Sequence, residues 1–507
     1  MEFENLTKLV SKQNIVSFFA AFIGPIIFVS TFAVYFLTLN GVWATDHTSA
    51  FVEFDYSIWA NHSFALGKVG SFTPASVDVF QYNGNYFMAN APGAAFISLP
   101  FAVIAFIVYG HFTVFGDVLI LTEIPVALAN SLASYFVFRI SNLYFKKEIS
   151  TFLAFCYAFS TISWPFATFL YQSDLSALFD LIAVYFAIKI GRAGERRKGE
   201  TIVRTGNASS KPSDKMSLAL FCGLAVAAAV IVDYVNAVLI PIIGAYVFFS
   251  VRKQTASKVD RIKFLVAFLA ESVGLTFFLL GIYNYASFGK VFASSEQMYL
   301  NGANVFESFT FPVYKGIVLN LFTPMRGLFF FSPILVLGVF GIWKMRRRTE
   351  TLREALLFLV VFLGIIVPYS AWYSVTGGVS FGPRFLIASI PFLLIPGGFV
   401  ISEVRDKKYS FGVVYLLYAA GVLQNGVASM IGVLTPPSSS WLSSPFLSNI
   451  MPDLMSGQLD SWWKYDFGFG WIIVAALIVS FALVFPMACD YTLRKSQKAL
   501  KGVSKNL

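Results

Sequence analysis

Charge is scarce in this chain. Asp, Glu, Lys and Arg make up only 13% of its 507 residues, against 57% hydrophobic. A soluble protein carries roughly 25% charged residues, so a water-facing globular domain of this size is excluded. Cysteine is scarcer still. Cys156, Cys222 and Cys489 all lie in or beside apolar runs, which excludes a disulfide framework. The ligand spacings HExxH and CxxC are missing, which leaves a metal centre without a motif. The nearest substitutes are Asp46, His47 and His62, which lie close only in sequence. No Gly-rich phosphate loop is present, so no nucleotide site and no cofactor are expected.

What the chain does have is apolar runs from end to end, each about long enough to cross a hydrocarbon layer of roughly 30 Å. The fold class that follows is an all-α polytopic membrane protein. The formal net charge of +10 does not point to nucleic acid. Lys and Arg sit in short loops between apolar runs, as the positive-inside rule requires. "NIVSFFAAFIGPIIFVSTFAVYFLTLN" lacks a small-residue cleavage site and is too long for a signal h-region, so it reads as a retained first span.

Basic clusters thread the chain. Lys8/Lys12, Lys146/Lys147, the 191–215 loop, 252–263, 344–348, 405–408 and the C-terminal tail are placed on the cytoplasmic side. Spans are expected near 16–39, 118–143, 149–168, 175–191, 216–231, 236–251, 263–283, 327–343, 354–372, 385–402, 410–434 and 467–488, about twelve in all. They form a single membrane domain over 1–507, with both termini and the 489–507 tail cytoplasmic. The stretch 94–110 competes with 118–143 for the second crossing. It is read as a helix at the outer interface, which leaves one large external loop, 40–117.

That loop holds most of the unusual polar residues. A helix is expected from about Ser49 to Leu66, with Asp55, Trp59, His62 and Leu66 on one face. Glu53 then lies about 200° around from Asp55. A carboxylate at a membrane surface can act as a general base; the bland alternative is a solvated interfacial helix. In "WYSVTGGVSFGPRFLIASIPF" the glycines make a tight external turn, and Arg384 opens the next span. Arg326 takes the equivalent place in "LFTPMRGLFFFSP", with Lys315 nearby. Arginines there suit a lipid phosphate; the alternative is snorkelling at the boundary. Glu123, Asp174, Asp180 and Asp233 lie near span ends or inside spans, where acids are costly and usually functional or paired.

These pieces add up to a resemblance. A first span, an acid-bearing external loop, "YNGNYFMANAPGAAF", "YNYASFGK", "LFTPMRGLFFFSP" and "GGVSFGPRFL" together resemble the GT-C superfamily of polyprenyl-phosphate-sugar-dependent glycosyltransferases. The likeness is to the branch related to protein O-mannosyltransferases and lipid A aminoarabinose transferases, from about residue 16 to 400. The resemblance implies a GT-C-like fold and an acid of the first external loop as catalytic base. Asp55 is the first choice and Asp46 the second. The donor phosphate would rest on Arg384, helped by Arg326 or Lys315. Tyr82, Tyr86 and Asn90 would wall the donor site, with Glu53 and His62 close by. Before Pro-Gly the family often has Lys or His; Asn90 stands there instead. The implied partners are membrane lipid, the lipid-linked sugar, and a glycan, lipid or protein acceptor. The implied reaction is direct displacement with inversion, at the extracytoplasmic face of a prokaryotic plasma membrane. A transporter or flippase of lipid-linked sugars, or a non-catalytic protein on the same fold, are the other readings.

Overall fold

The computed structural model describes residues 21–41, 46–66, 78–109, 115–192, 195–198, 201–204, 212–254, 258–302, 304–438, 440–458 and 471–503. Asp46 is described by its backbone alone. Lys8, Lys12 and residues 193–194, 199–200 and 205–211 of the 191–215 loop lie outside the described residues.

Among the described residues, seven helices are long and apolar enough to cross a membrane. They are Ile120–Ser141, Tyr234–Arg252, Lys258–Phe288, Leu352–Ala371, Arg384–Val404, Lys408–Ile431 and Ile472–Lys495. Shorter apolar helices add Ile23–Leu37, Gly93–Tyr109, Met216–Val232 and Val313–Phe322. The chain is thus an integral helical membrane protein. Burial sorts the helices. The most apolar stretch of Arg384–Val404 is 83% buried, whereas those of Lys258–Phe288 and Ile472–Lys495 are each 22% buried. The first is the axis of the bundle and the other two face the surroundings.

Central helices pack closely because small residues line them. Gly338 and Gly341 lie on the Val336–Arg346 helix, where an added Cβ would come within 1.9 Å of Leu393 O and 2.0 Å of Pro396 O. The backbones of this helix and Ile390–Val404 therefore touch, as small residues permit.

Two expected spans are interrupted. The 149–168 span ends as a helix at Phe159, and a short turn, Ser163–Phe166, follows. The 327–343 span is broken at Ser332-Pro333, between Leu328–Phe331 and Val336–Arg346. Proline and hydroxyl side chains cause these breaks, and other side chains satisfy the backbone they free. Asn130 Nδ2 donates to Ser163 O (2.8 Å), Ser332 Oγ accepts from Ile162 N (3.1 Å), and Asn425 Nδ2 donates to Phe331 O (2.9 Å).

The first large loop also differs from expectation. Its helix runs Asp46–Asn61 and stops there, because His62 takes a left-handed backbone (φ 51°). Strands β1 (Val79–Tyr82) and β2 (Asn85–Met88) form a hairpin around Asn83-Gly84, both with positive φ. Asn-Gly is the favoured pair for such a two-residue turn. The Gly93–Tyr109 helix follows and packs against both the Asp46–Asn61 helix and the Phe115–Ser141 helix.

Ion pairs tie several of the basic clusters to acids on other segments. Arg192 pairs with Glu354 at 3.0 Å, Lys344 with Glu403, Arg405 with Asp490, and Arg494 with Asp406 at 3.7 Å.

Substituting Gly341→Val should lower the thermal unfolding midpoint in detergent, by an amount equivalent to roughly 1–3 kcal/mol of overpacking. Gly412→Val should leave the midpoint unchanged, because a Cβ there meets nothing within 4 Å.

Candidate functional site

The Asp46–Asn61 helix begins at the site. Its second residue, His47, is buried. The imidazole stacks on Tyr171 (4.8 Å between centroids, 26°) and meets Phe51 edge-on. Its Nε2 pairs with Gln172 Oε1, and its Nδ1 lies 3.3 Å from Asn90 Nδ2 and 3.5 Å from Asp78 Oδ2, the carboxylate to which a protonated Nδ1 donates. The hairpin makes this meeting possible, since Ala89 N donates to Asp78 O at 2.9 Å across its open end. Burial pushes the Asp78 carboxyl upward, but His47, Arg384 and the Asn90 amide outweigh it and hold it below the usual carboxylate range.

Arg384 approaches from another part of the chain. It follows a turn in which Gly377, Gly378 and Gly382 all have φ between +60° and +70°, a conformation that side chains disfavour. Its guanidinium lies over Tyr171 (5.0 Å) and Phe385 (5.1 Å). Its Nε is buried and has no hydrogen-bond partner among the described residues. The cluster therefore presents a cation with a spare donor.

Two further acids face the same cluster. Asp233 accepts from Tyr369 Oη at 2.7 Å and from Val235 N at 3.3 Å, and Tyr369 stacks on Phe385 at 4.7 Å. Glu296 lies on the short Ser295–Tyr299 helix, capped by Ser294. Burial, then the charges of Asp233 and Asp78, push the Glu296 carboxyl up to about 7. Among the described residues, no group of three or more His, Cys, Asp or Glu is arranged to hold a metal ion.

An apolar groove of about 440 Å³ adjoins these polar groups. Its wall includes Phe64, Pro92, Phe96, Phe179, Val232 and Tyr283. Pro92 stands two residues after Asn90, and Val232 immediately precedes Asp233. Tyr283 Oη is hydrogen-bonded to Ser295 Oγ (3.2 Å), beside Glu296. Wall residues of the greasy groove are thus chain neighbours or hydrogen-bonded neighbours of the charged groups, an arrangement that suits an amphiphile with an anionic head.

The residues anticipated from sequence are distributed unevenly around this cluster. Asn90 and Arg384 are in it. Asp46 opens the helix immediately before His47, and its side chain lies outside the described residues. Asp55 is sealed between helices, with Oδ2 accepting from Ser98 Oγ at 2.7 Å. Burial raises its carboxyl well above the ordinary range, and the Ser98 bond offsets this only in part. Glu53 is buried too. His62 is exposed and lies beyond the helix end, so it shares no helix face with Asp55. Tyr82 packs edge-on against Phe288 (5.8 Å), and the backbone of Tyr86 bridges to Leu66, so both build the hairpin's aromatic base. Lys315 is exposed on the Val313–Phe322 helix, with no described contact to the cluster.

Arg326 departs most from expectation. It is fully buried, and its Nε donates to Thr376 O while Nη2 donates to Gly378 O and Thr435 O, each at 3.0 Å. Burial and the nearby charge of Arg384 lower it to about 10. Its donors are already taken by carbonyls.

Sequence reasoning missed Asp78, Gln172, Glu296 and Tyr369. One signal was available for Asp78: Asn83-Gly84 between "VFQY" and "NYFM" is a hairpin pattern, and a hairpin brings Asp78 beside Asn90.

Comparison with solved structures agrees with this architecture. ArnT from Cupriavidus metallidurans, in a crystal bound to undecaprenyl phosphate, superposes with a TM-score of 0.52 at 13% identity. The match covers 92% of this chain and 75% of that one. The same protein in its apo state matches with a TM-score of 0.50 at 14% identity, over 94% and 76%. An oligosaccharyltransferase from Archaeoglobus fulgidus matches less well, with a TM-score of 0.48 at 9% identity over 82% and 56%. No protein-family model matches the sequence, and neither does any curated protein. The chain is a membrane protein with a GT-C-like fold. Within that class it is similar to ArnT from Cupriavidus metallidurans.

The pH dependence of stability should expose Glu296. An unfolded Glu ionises near 4.5, whereas the folded one holds its proton to about 7. The folded state binds more protons in that window, so stability should fall as pH rises from about 4.5 to about 7 and level off above. Glu296→Gln should flatten that part of the curve when thermal midpoints are compared across pH.

Proposed function

We propose that the chain transfers a sugar from a polyprenyl-phosphate donor to an acceptor hydroxyl at the extracytoplasmic membrane surface. The observation that carries this reading is an apolar groove whose wall residues Pro92 and Val232 are chain neighbours of Asn90 and Asp233, together with a buried Arg384 Nε that has no partner among the described residues. An isoprenoid tail would occupy the groove, and the phosphate would meet a guanidinium whose buried Nε has no partner among the described residues. The GT-C-like fold adds support, since the ArnT it resembles was crystallised with undecaprenyl phosphate.

In the proposed reaction a carboxylate takes the acceptor's proton and the acceptor oxygen attacks the anomeric carbon. The bond from that carbon to the phosphate oxygen breaks, and the electron pair leaves on polyprenyl phosphate. Arg384 neutralises the charge that builds there. Attack opposite the leaving group inverts the anomeric centre. Of the two first-loop acids we take Asp46 as the base: its backbone opens the helix immediately before His47, whereas Asp55 is enclosed and burial raises its carboxyl well above the ordinary range, which favours the protonated form. A carboxyl that keeps its proton cannot accept another. Asp78 and His47 pair with each other, and Asn90 lies against His47.

Transfer assayed with purified protein, a polyprenyl-phosphate sugar and an acceptor should fall by about 10²- to 10⁴-fold in Asp46→Asn, the usual contribution of a general base. Asp55→Asn should stay near wild type, because an amide oxygen still accepts from Ser98. If Asp55→Asn abolished transfer and Asp46→Asn did not, the roles would be reversed. Movement of the lipid-linked sugar across proteoliposomes with no transfer by the wild type would replace this reading with the transporter one.

A further inference from the structure

We propose that Arg326 is a positioning residue for Arg384: it fixes the glycine turn that presents Arg384 and does not itself touch substrate. This deepens the preceding section and rests on its reading of Arg384 as the anchor of the donor phosphate.

The guanidinium of Arg326 clasps three segments of chain. It donates to Thr376 O and Gly378 O in the turn, to Thr435 O after the Lys408–Ile431 helix, and to Met325 O (3.3 Å) in its own loop. A second clasp acts on the same turn. Ser380 N donates to Thr435 O at 2.9 Å, and Thr435 Oγ1 donates to Ser380 O at 2.5 Å. Gly377 lies between the two carbonyls that Arg326 binds. A Cβ there would stand 3.4 Å from Cγ and Nε of Arg384. The turn backbone is therefore the floor on which the Arg384 side chain rests.

The chemistry of the site assigns Arg326 this role. A ring of carbonyl oxygens matches a planar fork of five donors and repels an anion. Arg326 is fully buried within that ring, so a phosphate cannot reach it. Its charge still acts at a distance, because a buried cation beneath Arg384 raises the positive potential that an anion meets. Lysine would keep the charge but present a single ammonium in place of the fork, leaving some turn carbonyls without a partner.

The test compares wild type, Arg326→Lys, Arg384→Lys and the double variant in the transfer assay, with KM measured separately for the polyprenyl-phosphate sugar and for the acceptor. Arg326→Lys should raise the donor KM about tenfold and leave the acceptor KM within about twofold, the pattern of lost donor binding. The double variant should be no worse than Arg384→Lys alone, since residues acting through one another are non-additive. Gly377→Ala, which strains the turn (φ +70°) without removing a buried charge, should repeat the donor effect. It carries the test if Arg326→Lys is not monodisperse in detergent. Multiplying losses in the double variant would mean that Arg326 serves the fold at large, and an unchanged donor KM in both Arg326→Lys and Gly377→Ala would overturn the inference. If the wild type transfers while both variants match it, only this inference falls; if the wild type transfers nothing, the transfer reading falls and this inference with it.

Discussion

A backbone freed inside an apolar bundle must find its hydrogen bonds within the protein, and this chain meets that constraint directly beneath its candidate site. Two helices are broken, after Phe159 and at Ser332. The breaks face one another, with Ile162 N donating to Ser332 Oγ and Asn425 reaching Phe331 O. Gly382 sits on this junction, its Cβ position 3.2 Å from the Phe331 ring and 3.4 Å from Ile162. Phe381 meets Phe331 edge-on at 4.7 Å. The satisfied breaks form a platform, the glycine turn rests on the platform, and Arg384 rests on the turn.

The electrostatics of the cluster follow from this arrangement. Arg326 is buried among carbonyls near Arg384, and Asp78 lies close enough to both His47 and Arg384 to be held below the usual carboxylate range. Asp233 and Glu296 extend the acidic side toward the groove. Burial would make any one of these charges costly alone; each lies within reach of another polar group. An anionic head brought to Arg384 would meet a buried donor without a partner among the described residues, and the wall of the apolar groove includes chain neighbours of Asn90 and Asp233.

Asp55 shows how helical spacing can mislead. The pattern Asp55, Trp59, His62, Leu66 reads as one face of a continuous helix, but the helix ends at Asn61. Asp55 then turns inward to Ser98, with the rings of Tyr56 and Trp59 against Phe106 beside it. The spans 149–168 and 327–343 misled in a related way. Their composition is apolar enough for membrane helices, yet Pro165, Ser332 and Pro333 interrupt them where partners from distant helices wait.

The class of protein was legible in composition, because so little charge leaves no way to stay in water, and local runs of about twenty apolar residues have one stable solution in lipid. The same holds for the glycine turn and Arg384, whose chemistry is written in neighbouring residues. Tertiary structure alone decided which acids meet. Asp78, Gln172, Glu296 and Tyr369 lie far apart in the chain and carry no shared motif, and only packing brings them around His47, Asp233 and Arg384. It also decided that Arg326, which in sequence looks like a twin of Arg384, turns its donors inward: a guanidinium goes where unpaired carbonyls await it, and those belong to the glycine turn, to Thr435 and to its own loop at Met325.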